Sequence, residues 1–170
     1  MGKYGNDDVS IFLPDSGIIQ IVIKLIRKMH FMPEVPVNYL AVLVAAVVMM
    51  VIGMMWHGPL FGKTWAKLSG VSEEKMRSGG MARRIGISFI GWLLMSYVLQ
   101  HAIVFAGKYL GLSGIQAGLI VGFFNWLGFI APVLMAPVLW EGKSWKLWLI
   151  NSGYFLVSLL VMGIILAVWK

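Results

Sequence analysis

The chain contains no cysteine and few charged side chains, and both absences narrow its class. Without cysteine it has no disulfide, no thiolate metal ligand and no cysteine nucleophile. Charged residues make up 12% of its 170 residues, where about 25% is usual for a soluble domain. Hydrophobic residues make up 59%, and the mean hydropathy is +0.84. The composition therefore indicates a membrane protein.

The long apolar runs also lack Asp, Glu, Lys and Arg at depth, which restricts the possible functions. Pumps coupled to protons or ions usually carry such residues inside the membrane, so active transport is disfavoured. The whole chain contains 14 basic residues (Lys and Arg) and 7 acidic residues (Asp and Glu). In a membrane protein this excess reflects orientation and contact with anionic headgroups. We therefore expect membrane lipids, and not nucleic acid, as partners.

Four apolar runs are each long enough to cross a bilayer, which takes about 18 or more residues. They predict an all-α integral membrane bundle of four transmembrane helices, with short interfacial helices between them. The expected spans are residues 37–56, 85–106, 116–140 and 147–169. Pro132 and Pro137 are expected to kink the third span. We also expect the bundle to form a homo-oligomer.

Residues 1–36 form an N-terminal extension that differs from the membrane domain of residues 37–170. The extension begins with a polar stretch, and from Ser16 to Phe31 its apolar side chains share one helical face. Lys24, Arg27 and Lys28 gather on the other face. One interpretation is a helix on the membrane surface. The other is that Met32 is the true start and that residues 1–31 lie upstream of the native protein.

The distribution of Lys and Arg predicts the orientation. The loops 57–84 and 141–146 hold eight of them: Lys63, Lys67, Lys75, Arg77, Arg83, Arg84, Lys143 and Lys146. The other side holds two, Lys108 and Lys170, or six with Lys3, Lys24, Arg27 and Lys28 of the extension. Because basic loops stay in the cytoplasm, we expect both loops there and both termini outside. The location would be an inner or plasma membrane.

A corner follows the first span. Gly58-Pro59 breaks a helix. Beyond it a short surface helix is expected, with Lys63 and Lys67 on one side and an apolar side that faces the membrane interface, formed by Leu60, Phe61, Trp65 and Leu68. A shorter copy, Gly142-Lys143-Ser144-Trp145, follows the third span. The two could mark a repeat about the membrane normal. The likeness covers few residues, so chance similarity is the stronger interpretation.

The corner Trp56-His57-Gly58-Pro59-Leu60-Phe61-Gly62-Lys63 resembles the signature of the domain of unknown function 1761 family. The tail Trp140-Glu141-Gly142-Lys143 through Ile150-Asn151-Ser152-Gly153-Tyr154 is similar to that family's closing segment. The resemblance extends from about Val37 to Trp169. It implies a four-helix membrane protein and supplies no activity. In the family the position of His57 is often Tyr, which weighs against His57 as an essential base or ligand.

Polar residues at the cytoplasmic ends of the spans form the best candidate site. His57 and Glu141 end the first and third spans, and polar residues begin the fourth, so these ends converge in a compact bundle. The candidates for binding a polar or anionic headgroup are His57, Lys63, Glu141, Lys143, Asn151 and Tyr154. A His57–Glu141 acid/base pair is the chemical alternative. A polar cluster that satisfies helix ends is favoured over that pair.

Inside the spans the candidate polar residues are His101 and Asn125. A buried, hydrogen-bonded role is expected for His101, and Asn125 is expected to join helices. The three histidines lie on different elements, so we expect no metal site and no cofactor. For helix packing, Gly114, Gly118 and Gly122 are spaced by four and predict a close contact.

The sequence thus favours a multi-pass membrane protein of unknown activity that is not an enzyme and acts through helix packing and contacts with lipids or a partner. Two alternatives stay open. A facilitator of a small neutral solute would show a polar path joining Asn38, His101 and Asn125 towards Asn151. A lipid-modifying enzyme would show His57 and Glu141 within hydrogen-bond reach beside a groove as wide as an acyl chain.

Overall fold

A computed structural model of the chain describes residues 17, 19–22, 35–71 and 80–169. The chain divides into two compact units, Met1–Glu34 and Val35–Lys170, and the helices of the membrane domain belong to the second. The surface helix expected between Ser16 and Phe31 falls mostly outside the described residues. Of this stretch, Gly17 and residues 19–22 are described, and they are helical.

Every regular element among the described residues is a helix. In chain order the α-helices are α1 Tyr39–Met55, α2 Gly62–Ser69, α3 Met81–Leu110, α4 Gly114–Asn125, α5 Ala136–Glu141 and α6 Trp145–Val168. Two π-helical turns, Trp56–Leu60 and Trp126–Ile130, follow α1 and α4, and a 3-10 turn, Val133–Met135, precedes α5. The prediction of an all-α fold is confirmed for this part of the chain.

Three helical stretches are long and apolar enough to cross a membrane. They are Tyr39–Leu60, Met81–Leu110 and Trp145–Val168, with 22, 30 and 24 residues. A fourth exists if Gly114–Ile130 and Val133–Glu141, which are bent by 41° at a short break, form one span. The helices therefore indicate a membrane protein with three or four spans.

Local sequence accounts for several helix ends. Asn38 caps α1, since its side-chain oxygen accepts the backbone N–H of Ala41 at 3.0 Å. Ser144 caps α6 in the same way through the N–H of Leu147 at 3.2 Å. Gly142 ends α5 with φ of +68°, a left-handed conformation that glycine adopts without a Cβ clash.

The third predicted span is bent, and its two prolines have different roles. Pro132 follows the π turn, in which the N–H of Ala131 reaches back to the carbonyl of Trp126 at 2.9 Å. Proline donates no backbone N–H, so the regular hydrogen-bond ladder ends here. Pro132 therefore lies at the bend, as expected. Pro137 lies in the first turn of α5, where a missing N–H costs nothing, so it starts a helix instead of kinking one.

Helix α6 contacts the segment from α4 to the bend along one antiparallel register. The paired residues are Gly118 with Gly163, Gly122 with Leu159, Trp126 with Ser152, and Ala131 with Trp148. As the residue number in the α4 segment increases from 118 to 131, the number of its contact residue on α6 decreases from 163 to 148. The contacted part of α6, residues 148–163, is about 22 Å long at a rise of 1.5 Å per residue. The segment thus accompanies α6 over most of its length.

Two glycines of α4 lie directly on the backbone of α6. A Cβ added to Gly118 would overlap the carbonyl of Gly163, and one added to Gly122 would lie 2.6 Å from the carbonyl oxygen of Leu159. The missing side chains are what allow the two backbones to approach. Gly114 lies outside this contact, because its φ is +55° and an added Cβ would meet open space. It begins α4 and does not pack against α6.

Indole N–H groups link the broken helices to α6. Three of them donate to backbone carbonyls: Trp56 to Ile150 at 2.9 Å, Trp126 to Ser152 at 2.9 Å, and Trp148 to Ala131 at 3.0 Å. Trp56 and Trp126 are each the first residue of a π turn. Because an unpaired N–H is costly in apolar surroundings, these bonds hold both breaks against α6.

We expect Gly118→Ala to destabilise the bundle, because the added methyl group would strike backbone that has no rotamer to escape into. Overpacking of this kind costs about 1–3 kcal/mol. Thermal unfolding of the purified protein in detergent measures the effect. The matched control is Gly91→Ala on α3, where an added Cβ meets open space. Equal melting temperatures for the two variants would contradict the close α4–α6 contact.

We expect Trp126→Phe to lower stability by about 1 kcal/mol, because the ring remains while the indole hydrogen bond to Ser152 is lost. The matched control is Trp140→Phe, since Trp140 is 86% exposed. Melting temperatures in one detergent compare the two. If Trp140→Phe proves the more damaging change, the indole bond does not secure the break.

Candidate functional site

A cavity of about 550 Å³ lies between the end of α1, the start of α3 and the first half of α6. We call it the His57 cavity. Its polar side-chain groups come from His57, Ser88, Asn151 and Tyr154, together with the indole of Trp92. Most of the remaining wall is apolar and includes Met50, Met54, Met81 and Ile85. The cavity therefore combines a hydrogen-bonding corner with a flexible apolar wall.

The π turn after α1 positions His57. The turn is closed by the N–H of Phe61, which donates to the carbonyl of Trp56 at 2.9 Å. Within it Gly58 leaves helical geometry, with φ of −103° and ψ of −105°. Gly62 packs against the same turn, since an added Cβ would lie 2.5 Å from the carbonyl oxygen of His57. The glycines of this corner thus allow the chain to turn tightly just after the histidine.

The ring of His57 is held by aromatic and polar neighbours. Its centroid lies 5.5 Å from that of Trp65 and 5.1 Å from that of Tyr154, in both cases nearly perpendicular. The backbone of Gly53 and the side chain of Asn151 also lie beside the ring. The two perpendicular aromatic contacts hold the ring at the wall of the cavity.

Asn151 connects the short helix α2 to α6. Its Oδ1 accepts the indole N–H of Trp65 at 3.0 Å, and its side chain also faces His57. One turn along α6, Tyr154 is buried, and its hydroxyl donates to the carbonyl of Met49 at 3.4 Å. Three of the residues selected from the sequence, His57, Asn151 and Tyr154, therefore line one cavity.

The other residues of that predicted cluster lie elsewhere. Among the described residues that line the His57 cavity, Lys63, Glu141 and Lys143 do not occur. Lys63 and Glu141 are exposed, and Lys143 is half-buried. Glu141 is the last residue of α5, beyond the bend. The cavity thus contains the histidine of the hypothetical acid/base pair without the carboxylate.

The two similar corners fold differently. Gly62 is the first residue of α2, whereas Gly142 follows the last residue of α5 in a left-handed conformation. The indole of Trp65 bonds inward to Asn151, while Trp145 is 53% exposed. The sequence similarity between the two corners therefore does not correspond to a similar local structure.

The two intramembrane candidates each bond within their own helix. The Nδ1 of His101 lies 2.9 Å from the carbonyl oxygen of Tyr97, and Asn125 donates to the carbonyl of Val121 at 2.8 Å. Each bond reaches back four residues, so neither of these bonds joins two helices. Asn125 also lines a second, mostly apolar cavity of about 390 Å³ between α3, the π turn after α4 and α6.

The structure adds one site residue that sequence reasoning assigned to the surface. Trp65 was expected to face the membrane interface with the apolar side of α2, yet its indole bonds to Asn151 inside the cluster. Helical spacing gives the side of α2 on which Trp65 lies, but not the neighbour that this side meets.

The described residues contain no group of three or more His, Asp or Glu side chains able to hold a metal ion.

Comparison with known proteins gives one match. No curated protein and no solved structure matches the chain. One family model, described as "Protein of unknown function (DUF1761)", matches residues 40–167. The matched stretch contains His57, Asn151 and Tyr154 together with the Gly118–Gly163 contact. The chain therefore belongs to the DUF1761 family of proteins of unknown function.

Proposed function

We propose that the chain is a four-span membrane protein that binds an anionic phospholipid, without catalysis, at the His57 cavity. The observation that carries this proposal is the juxtaposition of His57, Asn151 and Tyr154 with a methionine-rich apolar wall in one cavity. A lipid has the same two-part character, with a polar head and ester region above apolar chains.

The size and lining of the cavity suit part of a lipid. Its volume of about 550 Å³ falls within the range of about 300–1,000 Å³ that is usual for ligand sites. Methionine side chains such as Met50 and Met54 are unbranched and adapt to irregular apolar surfaces. An acyl chain would occupy this wall, and the ester or glycerol oxygens would meet His57 and Asn151.

Charges around the cavity favour an anionic headgroup. Arg83 is exposed in the first turn of α3, and its sequence neighbours Met81 and Ile85 line the cavity. Lys63 and Lys67 are exposed on α2, the helix that follows His57. Each such cation contributes about 1 kcal/mol near an anionic surface. A lipid phosphate at the mouth of the cavity would therefore be attracted to this end of the protein.

The polar corner supports binding more than catalysis. General acid/base chemistry needs a partner group within hydrogen-bond reach of the reacting atoms. The described lining of the His57 cavity offers no carboxylate to pair with the histidine. The polar side chains of the lining are suited to hold a ligand in place.

The antiparallel register supports four spans. A re-entrant loop would turn back before reaching the far end of α6, whereas the segment 118–131 follows α6 from Gly163 to Trp148. With four spans, α1 and the α4–α5 segment run one way, and α3 and α6 the other. Loops 57–84 and 141–146 then share a side, and their basic residues favour a cytoplasmic location for that side, with both termini outside.

We expect cysteines introduced at Ser113 and Glu141 to be labelled from opposite sides of a membrane, because these exposed positions flank the bent segment. The chain has no native cysteine, so each label is unique. A membrane-impermeant maleimide applied to sealed, inside-out vesicles should react with Glu141→Cys, and with Ser113→Cys only after permeabilisation. Labelling of both from one side would show that the segment is a re-entrant loop.

We expect His57→Phe to reduce retention of phosphatidylglycerol, because phenylalanine preserves the ring contacts and removes both nitrogens. Loss of one or two hydrogen bonds corresponds to about a fivefold to tenfold weaker affinity. Native mass spectrometry of protein titrated with phosphatidylglycerol or phosphatidylcholine measures it. The same spectra report whether the chain is a homo-oligomer, as we also propose.

The matched control is His101→Phe, since the described lining of the His57 cavity does not include His101. It should retain phosphatidylglycerol as the wild type does. Equal retention by His57→Phe and His101→Phe would contradict binding at the His57 cavity. Equal retention of the two lipids by the wild type would contradict the anionic headgroup.

A further inference from the structure

A buried glutamine at the other end of the bundle lacks a hydrogen-bond partner. Gln100 on α3 is 6% exposed, and its Oε1 is buried without a partner among the described residues. Buried amide oxygens are nearly always paired, so an unpaired one needs an explanation. The neighbouring Ser96 shows the usual arrangement, since its hydroxyl donates to the carbonyl of Val42 at 2.9 Å.

Gln100 lines a cavity of about 540 Å³, which we call the Gln100 cavity. It is bounded by the start of α1, the end of α3, the α3–α4 connection and the end of α6. The His57 cavity lies at the end of α1 and the start of both α3 and α6, so the two cavities occupy opposite ends of the bundle. The described linings of the two cavities have no residue in common.

The lining of the Gln100 cavity is nearly all apolar. Asn38 and Ser113 are its other side chains with hydrogen-bonding groups, apart from the indole of Trp169. The oxygen of Asn38 is already used, because it caps α1. Large apolar side chains such as Ile103, Leu112 and Leu166 supply the rest. Gln100 is therefore the deeply buried polar group in an apolar chamber.

The described residues that line this cavity carry no charge, which restricts the ligand. A charged ligand would lose its hydration on entering this cavity and would find no opposite charge among the described lining residues. Its binding would therefore carry a large desolvation cost. The Oε1 of Gln100 makes no hydrogen bond among the described residues, so it is available to accept one from a ligand in the cavity. A neutral molecule with one hydroxyl group would satisfy that oxygen and fill the apolar space.

We propose that the Gln100 cavity is a second binding site, specific for an uncharged single-chain lipid alcohol whose hydroxyl donates to the Oε1 of Gln100. The apolar chain lies against Ile103, Leu112 and Leu166. This ligand differs in charge from the anionic phospholipid proposed for the His57 cavity. Each of the two proposals can therefore be tested and rejected without affecting the other.

The test uses the full chain in phosphatidylcholine nanodiscs and two photoreactive probes. One probe is hexadecanol with a diazirine in its chain, and the other is the methyl ether of the same molecule. Mass spectrometry locates the cross-links. We expect hexadecanol to label peptides from the end of α3 and the end of α6, and unlabelled hexadecanol to compete. The ether has no O–H to donate and should label about fivefold to tenfold less.

Gln100→Leu removes the amide with little change in volume. We expect it to reduce hexadecanol labelling to the level of the ether, and to raise the melting temperature of the ligand-free protein by removing an unpaired buried group. Hexadecanol should raise the melting temperature of the wild type and leave that of the variant unchanged. The matched control, Gln116→Leu on the exposed face of α4, should label as the wild type does.

Equal labelling of the wild type by hexadecanol and by its methyl ether would overturn the proposal, whether or not any variant folds. Equal hexadecanol labelling of the wild type and folded Gln100→Leu would also overturn it. His57→Phe should not change labelling by hexadecanol. A loss of labelling in His57→Phe equal to that in Gln100→Leu would contradict a separate binding site at the Gln100 cavity.

Discussion

The structure depends on how backbone groups released at helix breaks find partners in apolar surroundings. The bend before α5 is the clearest case. In a regular helix the N–H of Met135 would donate to the carbonyl of Ala131, but here it donates to Pro132 at 3.1 Å. The carbonyl of Ala131 accepts the indole N–H of Trp148 instead. Irregular backbone in apolar surroundings is tolerated when protein groups satisfy it in this way.

The same stretch of α6 also forms the candidate site. Trp148, Ile150 and Ser152 bond to the two breaks, while Asn151 and Tyr154 meet His57. Successive residues on a helix point about 100° apart, so one short segment can bond to several neighbouring elements. Support of the fold and formation of the His57 cavity are therefore properties of one segment. A change at Asn151 would alter the attachment of α2 as well as the cavity.

Much of the architecture could be predicted from the sequence, because it follows from local chemistry. Long apolar runs require helices, Gly58-Pro59 ends one, and small residues such as Gly118 permit close packing. Contacts that depend on how the helices align with one another could not be predicted from the sequence. The sequence groups Glu141 with His57 because both end apolar runs, but Glu141 follows the bend in the third segment and is not among the described residues that line the cavity. Likewise His101 stood out for its chemistry, while its neighbour Gln100 is the residue that α3 turns into the interior.

The length of α3 has a consequence for the membrane itself. Its 30 residues correspond to about 45 Å, whereas the hydrocarbon core of a bilayer is about 30 Å thick. Either the helix tilts or its first turns, which carry Met81 and Ile85, rise to the level of the headgroups. In a thicker bilayer this wall of the His57 cavity would be drawn among acyl chains, and in a thinner one it would meet water. Hydrophobic thickness would then set what the cavity contains, independently of any change in the protein.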